Sequence, residues 1–170
     1  MSRDAAVPAS RFRCVPVATG VAARWRATGL DDMGNALLRR TADAPAGYPC
    51  RHCLRLAAPG EAMLLGSHRL PAPLGVYWTP SPVFLHAAPC PAYDAADEVA
   101  PVARHPDALV SVRAYDAGHL CLYDLGAVCG GEAVDAPLAR ALADPRTEFV
   151  NLHTARPGCF LCGVERIAAA

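Results

Sequence analysis

The sequence predicts an α+β fold: a single domain, 1–170, of mostly antiparallel β-sheet with about two helices and long Pro-rich loops. Three observations predict it. Short stretches of period-two alternation outnumber helical patterns, Gly, Pro and Asp turn signals punctuate them, and only two segments carry helical periodicity. A chain of 170 residues also suits one domain, since folding at that length buries roughly 70% of the unfolded surface without disulfide staples.

The elements follow in order. Residues 1–10 read as a flexible N-terminal segment. Residues 11–17 alternate well enough for a first strand. Residues 19–27 predict a short helix with Thr19 as its cap, Val21, Ala22 and Trp25 on one face, and Gly29 as its stop. Residues 36–41 and 54–57 read as strands. Ala58-Pro59-Gly60-Glu61 is a turn, and residues 62–70 read as the return strand of a hairpin. Four prolines (Pro71, Pro73, Pro80 and Pro82) follow within a dozen residues. Each lacks the ladder N–H, so this stretch reads as an ordered loop across one end of the sheet.

Residues 83–86 read as a short buried strand, and 88–106 as polar, Pro-containing coil. In 109–115 the alternation puts Val110, Val112 and Ala114 on one side. The turn Asp116-Ala117-Gly118 then predicts a hairpin whose second arm is 119–128. Leu138 and Leu142, four apart, make 133–142 the strongest helix, closed by Asp144-Pro145. Residues 147–153 are a β-branched and aromatic strand, Arg156-Pro157-Gly158 a turn, and 159–167 a last strand.

Composition removes several function classes. Formal net charge is zero and the arginines are scattered, without the basic face that phosphate neutralisation requires, so no nucleic acid is expected as a partner. No apolar run approaches the ~20 residues that span a bilayer, so no membrane partner is expected. The first residues lack the apolar stretch of a signal peptide, which makes the expected location cytoplasmic. The chain has no Lys, no Gln and Ile167 as its single isoleucine, which reads as the codon bias of a GC-rich bacterial gene. Arg in place of Lys therefore says little about phosphate recognition.

Eight cysteines carry more information. In a reducing compartment, and in a chain able to build a core, metal or thiol chemistry is the expected use. Two Cys-x-x-Cys pairs stand out: Cys50-Arg51-His52-Cys53 and Cys159-Phe160-Leu161-Cys162. A Cys-x-x-Cys turn aims two sulfurs at one point, and two facing turns make a tetrahedral thiolate site for zinc. Iron–sulfur ligation uses the same donors. Gly163 after Cys162 suits such a knuckle. The expectation is a structural zinc held by Cys50, Cys53, Cys159 and Cys162, with His86 and Cys90 as substitutes for one of the thiolates. Between the pairs lie 105 residues, far more than the ~15–20 of a zinc ribbon, so only the fold could bring them together.

Two other uses remain open. A thiol-dependent enzyme or redox protein would use Cys50 or Cys159, with His52 or His153 beside it, and would need a lowered thiol pKa and a third group to orient the base. A small-ligand binding module would place its ligand under the Pro-rich loop, lined by Tyr77, Trp78 and Phe84. Cys14, Cys121 and Cys129 alternate with apolar residues and read as packing. There is no G-x-S-x-G, no phosphate-cradling Gly-rich loop and no H-E-x-x-H.

The segments, taken in order, resemble those of the DUF1203 family. The resemblance rests on Pro49-Cys50-Arg51 with Ala58-Pro59-Gly60-Glu61, on Pro82-Val83-Phe84-Leu85-His86, on Leu109 to Asp116, and on Pro157-Gly158-Cys159-Phe160 with Val164-Glu165-Arg166. It implies a small, soluble, mostly bacterial protein without an assigned activity, and it carries over no catalytic residue. It centres on Cys50 and Cys159, and implies that Cys53 and Cys162 belong to some members only.

Overall fold

The computed structural model describes residues 10–168, so the predicted flexible segment 1–10 lies almost wholly outside the described residues. Its strands are β1 (Phe12–Val15), β2 (Leu38–Thr41), β3 (Ala62–His68), β4 (Ser81–His86), β5 (Leu109–Tyr115), β6 (Ala127–Gly130), β7 (Phe149–Thr154) and β8 (Phe160–Arg166). Its helices are α1 (Thr19–Thr28), the single turn α2 (Pro101–Arg104) and α3 (Asp135–Ala143). Two antiparallel sheets result, one in the order β1-β8-β7-β5-β6 and one in the order β2-β3-β4. The α+β reading holds.

Local sequence explains most elements. Helix α1 buries Ala22 and Trp25 and stops where Gly29 turns left-handed at φ 69°, its N–H closing on Trp25 O. Only glycine takes that conformation without strain, which is why it ends helices. Helix α3 buries Leu138, Ala141 and Leu142, the stripe that the Leu spacing predicts. In β5 the side carrying Val110, Val112 and Ala114 faces the core, as its alternation requires.

Three elements differ from expectation. Residues 54–57 make one isolated bridge, Pro49 with Leu56, instead of a strand. The arm expected over 119–128 makes one bridge, Cys121 with Tyr115, then folds through a 3₁₀ turn at Tyr123–Leu125 before Ala127–Gly130 pairs with β5 as a strand. Pro82 sits inside β4, which the proline rule would have excluded, because β4 is an edge strand of its sheet.

Each sheet has its own core. Helices α2 and α3 cover the five-stranded sheet with Val102, Leu138 and Leu142 against Val112, Leu152 and Leu161. Trp25, Met63, Val83 and Leu85 centre the second core, which also contains Cys50 and Cys53. Polar contacts join the sheets where β4 meets β8. Ser81 Oγ accepts from Phe160 N at 2.9 Å, and buried Arg51 donates from Nε to Phe160 O at 2.8 Å. Close approach also fixes Gly66 in β3. A Cβ there would stand 2.5 Å from Leu37 Cδ2, 2.8 Å from Asp31 Cβ and 2.9 Å from Trp25 Cζ3.

Candidate metal centre

Residues 48–57 form a small loop closed on itself, with Cys50 N donating to Arg55 O and Ala57 N to Tyr48 O, both near 3 Å. The Cys50–Cys53 turn lies at its tip. Leu54, fully buried, takes φ 53° directly after the turn, a conformation a branched residue adopts only where packing holds it. The loop docks along β4: Cys50 bridges Phe84, and Arg51 N donates to Phe84 O at 2.9 Å. That docking decides the site, because β4 ends at His86 and the following loop delivers Cys90.

The thiols of Cys50, Cys53 and Cys90 and the imidazole of His86 place their donor atoms within 4.8 Å of one another. Cys53 Sγ lies 3.4 Å from His86 Nδ1, and Cys50 Sγ 3.9 Å from Cys90 Sγ. Zinc–sulfur bonds of ~2.3 Å at tetrahedral angles put two sulfurs about 3.8 Å apart, so the set fits a four-coordinate ion. Cys50 and Cys53 are buried, and His86 and Cys90 are partly so.

Cys50 is prepared as a thiolate. Its pKa is held down at about 4, first by a hydrogen bond from the Cys53 thiol and then by the backbone N–H groups of Cys53, His52 and His86, which outweigh burial. Cys53 moves the opposite way: it holds the proton it shares with Cys50, and burial adds to the rise. A metal would displace that proton, since thiolates are the ligating form.

Further side chains surround the four. Glu61, from the Ala58–Glu61 turn, places Oε2 3.3 Å from His86 Nε2, the nitrogen turned away from the cluster. Distance alone brings them together, for that buried Nε2 has no well-angled hydrogen bond. His52 Nδ1 lies 3.3 Å from Cys90 Sγ and its Nε2 3.1 Å from Thr19 Oγ1. Burial lowers the His52 pKa, and a neutral ring with Nδ1–H toward sulfur and Nε2 accepting from Thr19 satisfies both contacts. Arg26 donates from Nε to His86 O at 3.1 Å and from its terminal nitrogen to Cys90 Sγ at 3.5 Å, setting a cation beside the thiolates.

The structure brings Cys50 and Cys53 together with the two expected substitutes, His86 and Cys90, and not with Cys159 and Cys162. The separation of the second pair has a backbone cause. Cys159 precedes β8 and Cys162 lies within it, so this pair is extended and has no turn to converge its sulfurs. Cys162 is fully buried in the other core beside Cys14, and its thiol is pushed up by the hydrogen bond to Cys14 and by burial.

The thiol alternatives find weaker geometry. The His52 ring hydrogen-bonds Cys90 Sγ and not Cys50 Sγ, and His153 Nδ1 is engaged with Gly158 O at 2.9 Å. Tyr77, Trp78 and Phe84 go separate ways. Tyr77 bonds Tyr123, Trp78 Nε1 donates to Leu70 O, and Phe84 packs edge-on against Tyr48. Sequence reasoning passed over Glu61 and Arg26, which no spacing rule links to a cysteine.

The family description "Protein of unknown function (DUF1203)" matches residues 47–166. No curated protein and no solved structure matches the chain.

Proposed function

The chain belongs to the DUF1203 family, and from that premise, which supplies no activity, we propose that it is a metal-binding protein carrying a structural zinc on Cys50, Cys53, His86 and Cys90. The observation that carries this reading is the convergence of three thiols and one imidazole, their donor atoms within 4.8 Å of one another, in a largely buried place. Three sulfurs and a nitrogen suit zinc among common cellular metals, and four protein donors leave no open position for a substrate or water. When bound, the ion would tie the Cys50–Cys53 turn to the end of β4 and to the loop beyond it. Glu61 would fix the His86 ring through Nε2, as carboxylates do behind metal-ligating histidines. Backbone N–H groups on Cys50 and Arg26 beside Cys90 would offset the charge of three thiolates.

Metal content of the purified full chain and of four variants tests the proposal. Wild type, Cys159→Ser and Cys162→Ser are expected to carry about one zinc each, and His86→Ala and Cys90→Ser far less. A metal-free wild type, or loss in Cys162→Ser with retention in Cys90→Ser, would overturn it.

A further inference from the structure

Outside the cluster of Cys50, Cys53, His86 and Cys90, a cleft of about 940 Å³ opens between the two sheets, within the ~300–1,000 Å³ range of small-molecule sites. Its floor is the face of β7 and β8 around Asn151 and Gly163, and one wall is the end of β3 from His68 to Ala72. The opposite wall is the segment from Val15 to Val21.

His68 is the chemical feature of this cleft. It is 5% exposed and lines the cavity. Its Nδ1 lies 2.6 Å from Asp32 Oδ2, and Asp32 also accepts from Trp25 Nε1, from Arg69 N and from Arg24. With so many donors Asp32 stays ionised; these hydrogen bonds outweigh burial and hold its pKa below the usual range. Burial in turn lowers the pKa of His68 against the pull of Asp32, which favours the neutral ring. Asp32 therefore takes the Nδ1 proton, and Nε2 is left with a lone pair. No described residue hydrogen-bonds that nitrogen, and it is not sealed in as His86 Nε2 and His153 Nε2 are.

The rest of the lining narrows what would meet it. Asn151 is 3% exposed and donates from Nδ2 to Ala72 O, which leaves its carbonyl oxygen as a second acceptor on the floor. Phe149 and Phe160 supply aromatic surface. Among the charged lining residues, Glu165 pairs with Arg13, and Arg166 is spent on Leu142 O and Thr147 O. Arg69, stacked on Trp78, and Glu148 remain, one of each sign. Two buried acceptors and a neutral rim favour an uncharged ligand that brings its own donor.

We infer that this cleft is a second site, independent of the metal centre, which binds a small uncharged aromatic or aliphatic alcohol with its hydroxyl donating to His68 Nε2. The Asp32–His68 pair orients the acceptor, and the apolar walls hold the remainder of the ligand.

The test titrates the full chain, labelled with ¹⁵N, with p-cresol and with toluene, which differ by the hydroxyl. p-Cresol is expected to move the His68 Nε2 resonance and the amides of Phe149, Asn151 and Gly163, and toluene to bind about 5-fold more weakly, the worth of one hydrogen bond. Gly163→Ala separates binding from folding. A Cβ at Gly163 would meet its nearest atoms at 3.6–3.9 Å, ordinary contact, so the strand accepts it while the methyl covers the floor beside Asn151 Oδ1. This variant should keep the wild-type spectrum elsewhere and weaken p-cresol binding. Equal affinity for toluene, no shift at His68, or undiminished binding by Gly163→Ala would each overturn the assignment.

Discussion

Stripping the metal should cost the fold a definite amount. The ion would link Cys53 to His86, 33 positions apart, and so close a loop that the unfolded chain must otherwise search. The chain-entropy relation used for cross-links gives about 3.7 kcal/mol for a loop of roughly that length. For a domain of this size each kcal/mol moves the melting midpoint by ~2–4 °C, so the expected fall is on the order of 7–15 °C. The assay is thermal unfolding by circular dichroism, before chelation, after chelation and after zinc is restored. Cys162→Ser should show the same metal-dependent difference, since its sulfur lies in the other core. An unchanged midpoint after complete metal loss would refute the reasoning, for the loop would then be closed by packing alone.

Three further outcomes are expected. Glu61→Gln keeps an acceptor for Ala58 N but loses the charge beside His86 Nε2; zinc affinity should fall ~10–100-fold in competition with a chromophoric chelator, with the fold intact. Gly66→Ala forces a Cβ to 2.5–2.9 Å from Leu37, Asp31 and Trp25, and should cost about 1–3 kcal/mol or more in urea unfolding. His153 is 3% exposed and burial pushes its pKa down to about 4, against ~6.5 in the unfolded chain. Below ~6.5 the unfolded state therefore binds a proton that the native state refuses. Stability from this residue is complete well above that pH and is lost as pH falls toward 4, by about 1.6 kcal/mol between pH 6.5 and 5. Urea unfolding across that window should show a shallower loss for His153→Leu.

The sequence exposes what local periodicity controls. Leu138 and Leu142 announce α3, Gly29 ends α1, and the alternation of 109–115 gives β5 and its buried face. Helix α2 escapes because four residues hold no periodicity. The hairpin arm after Gly118 escapes because Leu125 N turns back to Leu122 O, a local 3₁₀ turn that the alternation of 119–128 does not announce.

The site divides along the same line. Cys50 and Cys53 are legible as half of a metal centre because their turn is local. His86 and Cys90 are legible only as donors, since the contact that recruits them, Cys50 against Phe84, joins segments 34 positions apart along the chain. The second Cys-x-x-Cys shows how little spacing says about backbone. Leu54 after the first pair turns to positive φ, whereas Gly163 after the second, read as a knuckle glycine, pairs in mid-sheet with Val15 and Asn151. Spacing gives four cysteines equal standing, and the backbone separates them. Asp32 and His68, 36 apart, carry no motif at all.

X-ray absorption at the zinc edge of the purified, untagged chain tests the central claim most directly, because it counts donor types around the metal. Three sulfurs at ~2.3 Å with one nitrogen at ~2.0–2.1 Å is the result that Cys50, Cys53, His86 and Cys90 predict. Four sulfurs would contradict it and restore the two Cys-x-x-Cys pairs as the ligand set.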